Sequence, residues 1–102
     1  MSTHLITKEQ IPFQLLSTKE VLARSFEQKK RKHQLQKAAQ LNRLFYCKVK
    51  IVFETSEGRK EVNAHILKVA DGNVILKGGI SIPVCCICDV FRDSDCDDWY
   101  LL

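Results

Sequence analysis

The rhythm of apolar and polar positions changes at Phe45. From Phe45 to Glu54 the odd positions (Phe45, Cys47, Val49, Ile51, Phe53) are all apolar, and three of the even ones are charged. A period of two puts one set of side chains on a single sheet face, so this run predicts a half-buried strand with the odd positions inward. Ser56-Glu57-Gly58-Arg59 turns the chain, and residues 60–70 read as the return strand. Asp71-Gly72 marks a tight type I′ hairpin, whose central residues must tolerate positive φ. Residues 73–77 form a third strand, and Gly78-Gly79 permits another reversal. Ile80-Ser81-Ile82-Pro83-Val84 alternates again, with Pro83 expected at an edge or a strand end because it donates no ladder hydrogen bond. Residues 87–91 make a fifth strand, with Cys85-Cys86 in the short connection before it.

Upstream of Phe45 the period is helical. Ser17 and Glu20 have the spacing of a capping box, flanked by Leu16 and Val21 at hydrophobic-staple positions, which predicts a helix starting near Thr18. Val21, Leu22 and Phe26 form one apolar patch; Leu35, Ala38, Ala39, Leu41 and Leu44 form another. The second patch is expected to pack on the β-region. The intervening Gln28-Lys29-Lys30-Arg31-Lys32-His33-Gln34 has no apolar residue, so a helix through it is expected to be solvated all round or to bend.

This order of elements divides the chain into a flexible N-terminal segment (1–17), a basic helical arm (18–44), a small β-domain (45–92) and an acidic tail with an apolar end (93–102). The fold class is α+β: an N-terminal helix followed by a strongly bent antiparallel five-stranded sheet or a small barrel, since closure removes exposed strand edges. The helix, the long hairpin strands, the run Val74-Ile75-Leu76-Lys77-Gly78-Gly79-Ile80-Ser81-Ile82-Pro83 and the final Ile87-Cys88-Asp89-Val90 together resemble the Sm-like small β-barrel proteins over residues 35–91. Members of that family commonly bind RNA and assemble into rings. The resemblance lies in pattern and strand order; the family's Asp and Asn loop residues and its Arg-Gly knuckle have no match in this sequence.

Composition (45% hydrophobic, 27% charged, 102 residues) fits one domain with one modest core. No run approaches the length of a membrane span, and the first residues lack the pattern of a secretory signal, so a soluble, cytoplasmic protein is expected. The net charge of +4 is unevenly spread. Residues 1–50 hold 11 Lys/Arg against 3 Asp/Glu, and residues 51–102 hold 5 against 9. Such polarity points to an acidic partner for the N-terminal half, or to charge pairing within or between chains.

The candidate chemistry is that of a binding protein. Arg24, Lys29, Lys30, Arg31, Lys32 and Lys37 would attract a phosphate chain through counterion release, without reading bases. Tyr46, Lys48 and Lys50 share the outward face of the first predicted strand, where an aromatic ring beside cations would stack a base. The expected partner is RNA or another polyanion. The same lysines would also serve as an ordinary solvated surface. The alternative is a protein-interaction or self-associating module using the helix, a sheet edge and the apolar end Trp99, Tyr100, Leu101 and Leu102. Five cysteines in a chain with no signal pattern read as thiols. Cys85, Cys86, Cys88 and Cys96, with Cys47 and His65 elsewhere, lack paired Cys-x-x-Cys spacing, so no metal site or cofactor is assigned. Residues 93–98 alternate acids like half of a calcium loop but lack its Gly and its closing Glu. His65 falls within the return strand and reads as structural. No nucleophile elbow, phosphate loop or His/carboxylate pair at diagnostic spacing occurs, which argues against an enzyme and leaves no small-molecule substrate identified.

Overall fold

The computed structural model describes residues 3–93 and 99–101. Its elements are β1 (His4–Ile6), a 3-10 helix (Lys8–Phe13), α1 (Ser25–Phe45), β2 (Val49–Thr55), β3 (Gly58–Ala64), β4 (Ile66–Ala70), β5 (Asn73–Leu76), β6 (Ser81–Pro83), a 3-10 turn (Val84–Cys86), β7 (Ile87–Arg92) and a last 3-10 turn (Trp99–Leu101). The architecture is α+β: one long helix and two sheets, ordered β1-β3-β2-β7 and β4-β5-β6.

The hairpins form where their turn residues demand. β2 and β3 pair antiparallel down to Thr55 opposite Gly58. The Thr55 hydroxyl closes that turn by donating to the Gly58 carbonyl and accepting from the Glu57 N–H. Asp71 and Gly72 take φ of 54° and 76°, as the tight turn joining β4 and β5 requires. Pro83 ends β6, which hydrogen-bonds to β5.

The return strand differs from expectation. Residues 60–70 are not continuous: β3 ends at Ala64, β4 starts at Ile66, and His65 between them carries the chain from one sheet into the other. The five predicted strands are therefore not one bent sheet, and among the described residues no ladder closes them into a barrel. Period-two patterning cannot reveal such a break, because the inward positions (Val62, Ala64, Ile66) continue in phase across it.

The helix also starts later than its sequence signal, at Ser25 rather than near Thr18. Ser17 makes a local turn with Lys19 instead of a helix cap. Its N–H donates to the Glu54 carbonyl, Leu16 bridges to Thr55, and the Val21 N–H donates to the Cys85 carbonyl. Tertiary partners thus draw residues 15–22 out as a strap along β2 and the Val84–Cys86 turn. The N-terminal segment expected to be flexible contains β1, parallel to β3, and the 3-10 helix.

One core joins α1 to both sheets. Leu35, Ala38, Ala39 and Leu41 meet Val49, Ile51, Phe53, Val62, Ile66, Val74, Leu76, Ile82 and Ile87. The Cα radius of gyration, 12.6 Å, equals that of a compact chain of this length. Two expected core residues lie outside it. Phe45 ends the helix half-exposed, and Leu44 is 58% exposed beside it. Among the described residues, no helix is long and apolar enough to cross a membrane.

Candidate nucleic-acid interface

The basic run on α1 is split by the helix period. Lys29, Lys30 and Lys32 are exposed, whereas Arg31 is 7% exposed and turned into the fold. Its guanidinium grips both carboxylate oxygens of Glu20, at 2.5 and 2.7 Å, and donates to the Ile87 carbonyl at 3.0 Å. This bidentate pair ties the strap, the helix and β7 together. Hydrogen bonding from Arg31 holds the Glu20 carboxyl below its ordinary range. Arg31 is thus a structural clamp and not a phosphate contact, a correction to the sequence reading. The glutamate expected to cap the helix serves as its partner.

The remaining cations are dispersed. Arg24 sits at the helix N-cap with its guanidinium 5.9 Å from the Phe26 ring centroid. The Lys37 ammonium lies 4.5 Å from the Trp99 ring centroid. Lys50 meets Glu61 at 3.7 Å across the β2–β3 ladder. Among the described residues Lys29, Lys30 and Lys32 form no ion pair, and Glu27 is the only carboxylate in α1.

Tyr46, like Lys48, lies outside the first predicted strand, which begins only at Val49 as β2. It is the helix C-cap, in the left-handed conformation at φ 56°, with its N–H donating to the Asn42 carbonyl. Glycine usually fills such a cap; a tyrosine there holds its ring at a fixed angle to the sheet. The ring stacks on His65 at 4.0 Å between centroids and 21° between planes. The Lys77 ammonium lies 4.7 Å from the Tyr46 centroid and donates to its hydroxyl. Lys48 is exposed nearby.

These residues line a cleft of about 540 Å³ between β1 with its following 3-10 helix and the His65 bend. Lys8, whose ammonium donates to the Lys77 carbonyl at 3.2 Å, completes a group of three lysines from three elements. Among the described residues Glu9 is the one carboxylate on the wall, and Asn63 also lines it. The His65 Nδ1 lies 2.8 Å from Asn42 Oδ1 and 3.2 Å from the Cys47 carbonyl. A carbonyl only accepts, so Nδ1 carries the proton and the neutral ring leaves Nε2 as an acceptor. Burial, then the Lys48, Lys77 and Lys8 charges, push the imidazole pKa below its ordinary value against the raising effect of the Cys47 hydrogen bond.

Of the expected site residues, the fold brings only Tyr46 and Lys48 into this cleft. Lys8, Asn63, His65 and Lys77 were not legible as partners, being scattered over about seventy residues of sequence with no motif to join them.

The other candidates resolve differently. Of the apolar end, Trp99 is buried in the core cluster of its own chain, while Tyr100 is exposed. Leu101 lies in the last 3-10 turn, and Leu102, Cys96 and the acids from 95 to 98 lie outside the described residues. Burial raises the thiols of Cys86 to about 12 and Cys88 to about 11, so both remain protonated near neutrality. Among the described residues no group of His, Cys, Asp and Glu is arranged to hold a metal ion. The chain matches no family model, no curated protein and no solved structure.

Proposed function

We propose that this is a non-enzymatic binding protein for nucleic acid, with single-stranded RNA favoured, acting in the cytoplasm. Lys29, Lys30 and Lys32 hold backbone phosphates, with Arg24 and Lys37 at the flanks, while Tyr46 and Lys48 supply an aromatic and cationic face and Lys50 adds charge. The observation that carries this reading is the set of exposed lysines on a helix tied to the strap and to β7 through Arg31. Clustered cations release counterions on contact with a polyanion and give steeply salt-dependent binding. The Sm-like pattern lends this reading no support, since the described strands form two sheets and no closed barrel.

The test is titration of the reduced protein against labelled single-stranded RNA and duplex DNA at low and high salt. Binding that weakens at high salt and in the triple variant Lys29→Glu/Lys30→Glu/Lys32→Glu supports the proposal. No binding to either polymer at low salt sinks it. The alternative, self-association, draws on Phe13 and Leu15, exposed on the N-terminal segment, and on Leu44 and Phe45 at the helix end. A concentration-dependent mass in light scattering would favour it.

A further inference from the structure

We infer that the cleft at the His65 bend is a discrete binding site for a nucleoside monophosphate group, either a free nucleotide or the phosphorylated terminal residue of a strand. This sharpens the nucleic-acid reading, with which it shares Tyr46 and Lys48, but it requires neither the helix lysines nor strand binding.

Two features converge. Lys8, Lys48 and Lys77 come from the 3-10 helix, the approach to β2 and the turn after β5, and among the described residues Glu9 is the only carboxylate that lines the concavity with them. That excess of charge suits the dianion of a phosphomonoester better than the single charge of an internal diester. Second, the cleft volume of about 540 Å³ lies in the ordinary range for small-ligand sites. The Tyr46–His65 stack gives it a rigid aromatic wall, fixed by the helix cap on one side and by Asn42 and the Cys47 carbonyl on the other. The side-chain oxygen of Asn63, on the same wall, is closed to solvent and so to a ligand, and takes no part in the recognition. Ammonium groups for the phosphate and an aromatic wall for the base are the complement of one nucleotide.

The full-length chain should be titrated calorimetrically with AMP, adenosine and inorganic phosphate. The expected result is one saturable AMP site per chain, with adenosine and phosphate each weaker by about tenfold or more, because each offers half of the recognition. Lys48→Glu or Lys77→Glu should weaken AMP by about tenfold through charge reversal. Tyr46→Leu should weaken it by about fivefold or more through the lost ring. Lys68→Glu, exposed and outside the cleft, should leave AMP binding unchanged, and an unaltered Tm certifies each variant as folded. Comparing hexanucleotides with and without a 5′-phosphate separates the sources: preference for the phosphorylated strand identifies a strand end, while equal hexamer binding beside a clear AMP site identifies a free nucleotide. No saturable AMP binding overturns the inference. So does AMP binding no tighter than phosphate, or AMP binding indifferent to Lys48→Glu and Lys77→Glu. Loss of RNA binding in the helix triple variant with AMP binding intact shows that the two sites fail separately.

Discussion

The exposed stripe of α1 and the cleft at His65 each gather three lysines, but they hold them differently. On the helix, Lys29, Lys30 and Lys32 extend from one element into solvent, and of the three Lys30 shares a cleft with Phe26 and with Gln34, whose side-chain oxygen is buried and unpartnered. In the cleft, three elements bring Lys8, Lys48 and Lys77 around a stacked Tyr46–His65 pair. Under the proposed readings, the first arrangement would attract any polyanion and the second would select by shape. Equal charge therefore does not imply equal selectivity. What separates the two is whether the tertiary fold supplies the partners that fix each ammonium.

Arg31 offers the sharpest way to break this comparison, because it belongs to the stripe by sequence and to the interior by packing. Arg31→Ala strands the Glu20 carboxylate and the Ile87 carbonyl, and with Glu20 about one-third exposed the cost should be about 2–3 kcal/mol. Lys30→Ala should change stability by less than about 0.5 kcal/mol. Chemical denaturation of the two variants decides the point, and equal losses would place Arg31 back on the surface. Next in size, the helix triple variant should lower single-stranded RNA affinity by about tenfold or more at low salt. It should also flatten the slope of log K against log salt by about 2, as three lost phosphate contacts require. An unchanged slope would assign strand binding elsewhere.

A smaller effect concerns pH. The folded state depresses the His65 pKa, so the unfolded chain binds the proton more readily. Stability should then be full above the unfolded value near 6.5 and fall as pH drops toward the folded value. Denaturation midpoints at pH 7.5 and below pH 6 should show this loss, diminished in His65→Gln, which removes the titrating group. Lowered Glu20 adds a separate decline at more acidic pH, below its unfolded value near 4.5. The smallest expected effect is chemical. Cys86 and Cys88 should resist alkylation at pH 8 in the native protein and react on unfolding, because burial suppresses their thiolates.

Much of the β-region was legible. Val49, Ile51 and Phe53 are buried along β2 as the alternation predicts, with Val52 buried besides, and Asp71-Gly72 forms its turn, because both are local consequences of backbone geometry. The second apolar patch of the helix was equally readable at Leu35, Ala38, Ala39 and Leu41. The helix start was not. The Ser17–Glu20 spacing satisfies a capping box, but Glu20 is worth more to a buried guanidinium than to a solvated helix end, and only packing brings Arg31 within its reach.

Sequence by itself determined the hairpins, the inward faces of the strands and the excess of charge in the first half, since each depends on neighbours a few residues apart. Tertiary structure decided which basic residue became a clamp, where the return strand divided and which lysines met at His65. Those outcomes depend on contacts between residues tens of positions apart, and one-dimensional periodicity carries no information about such contacts.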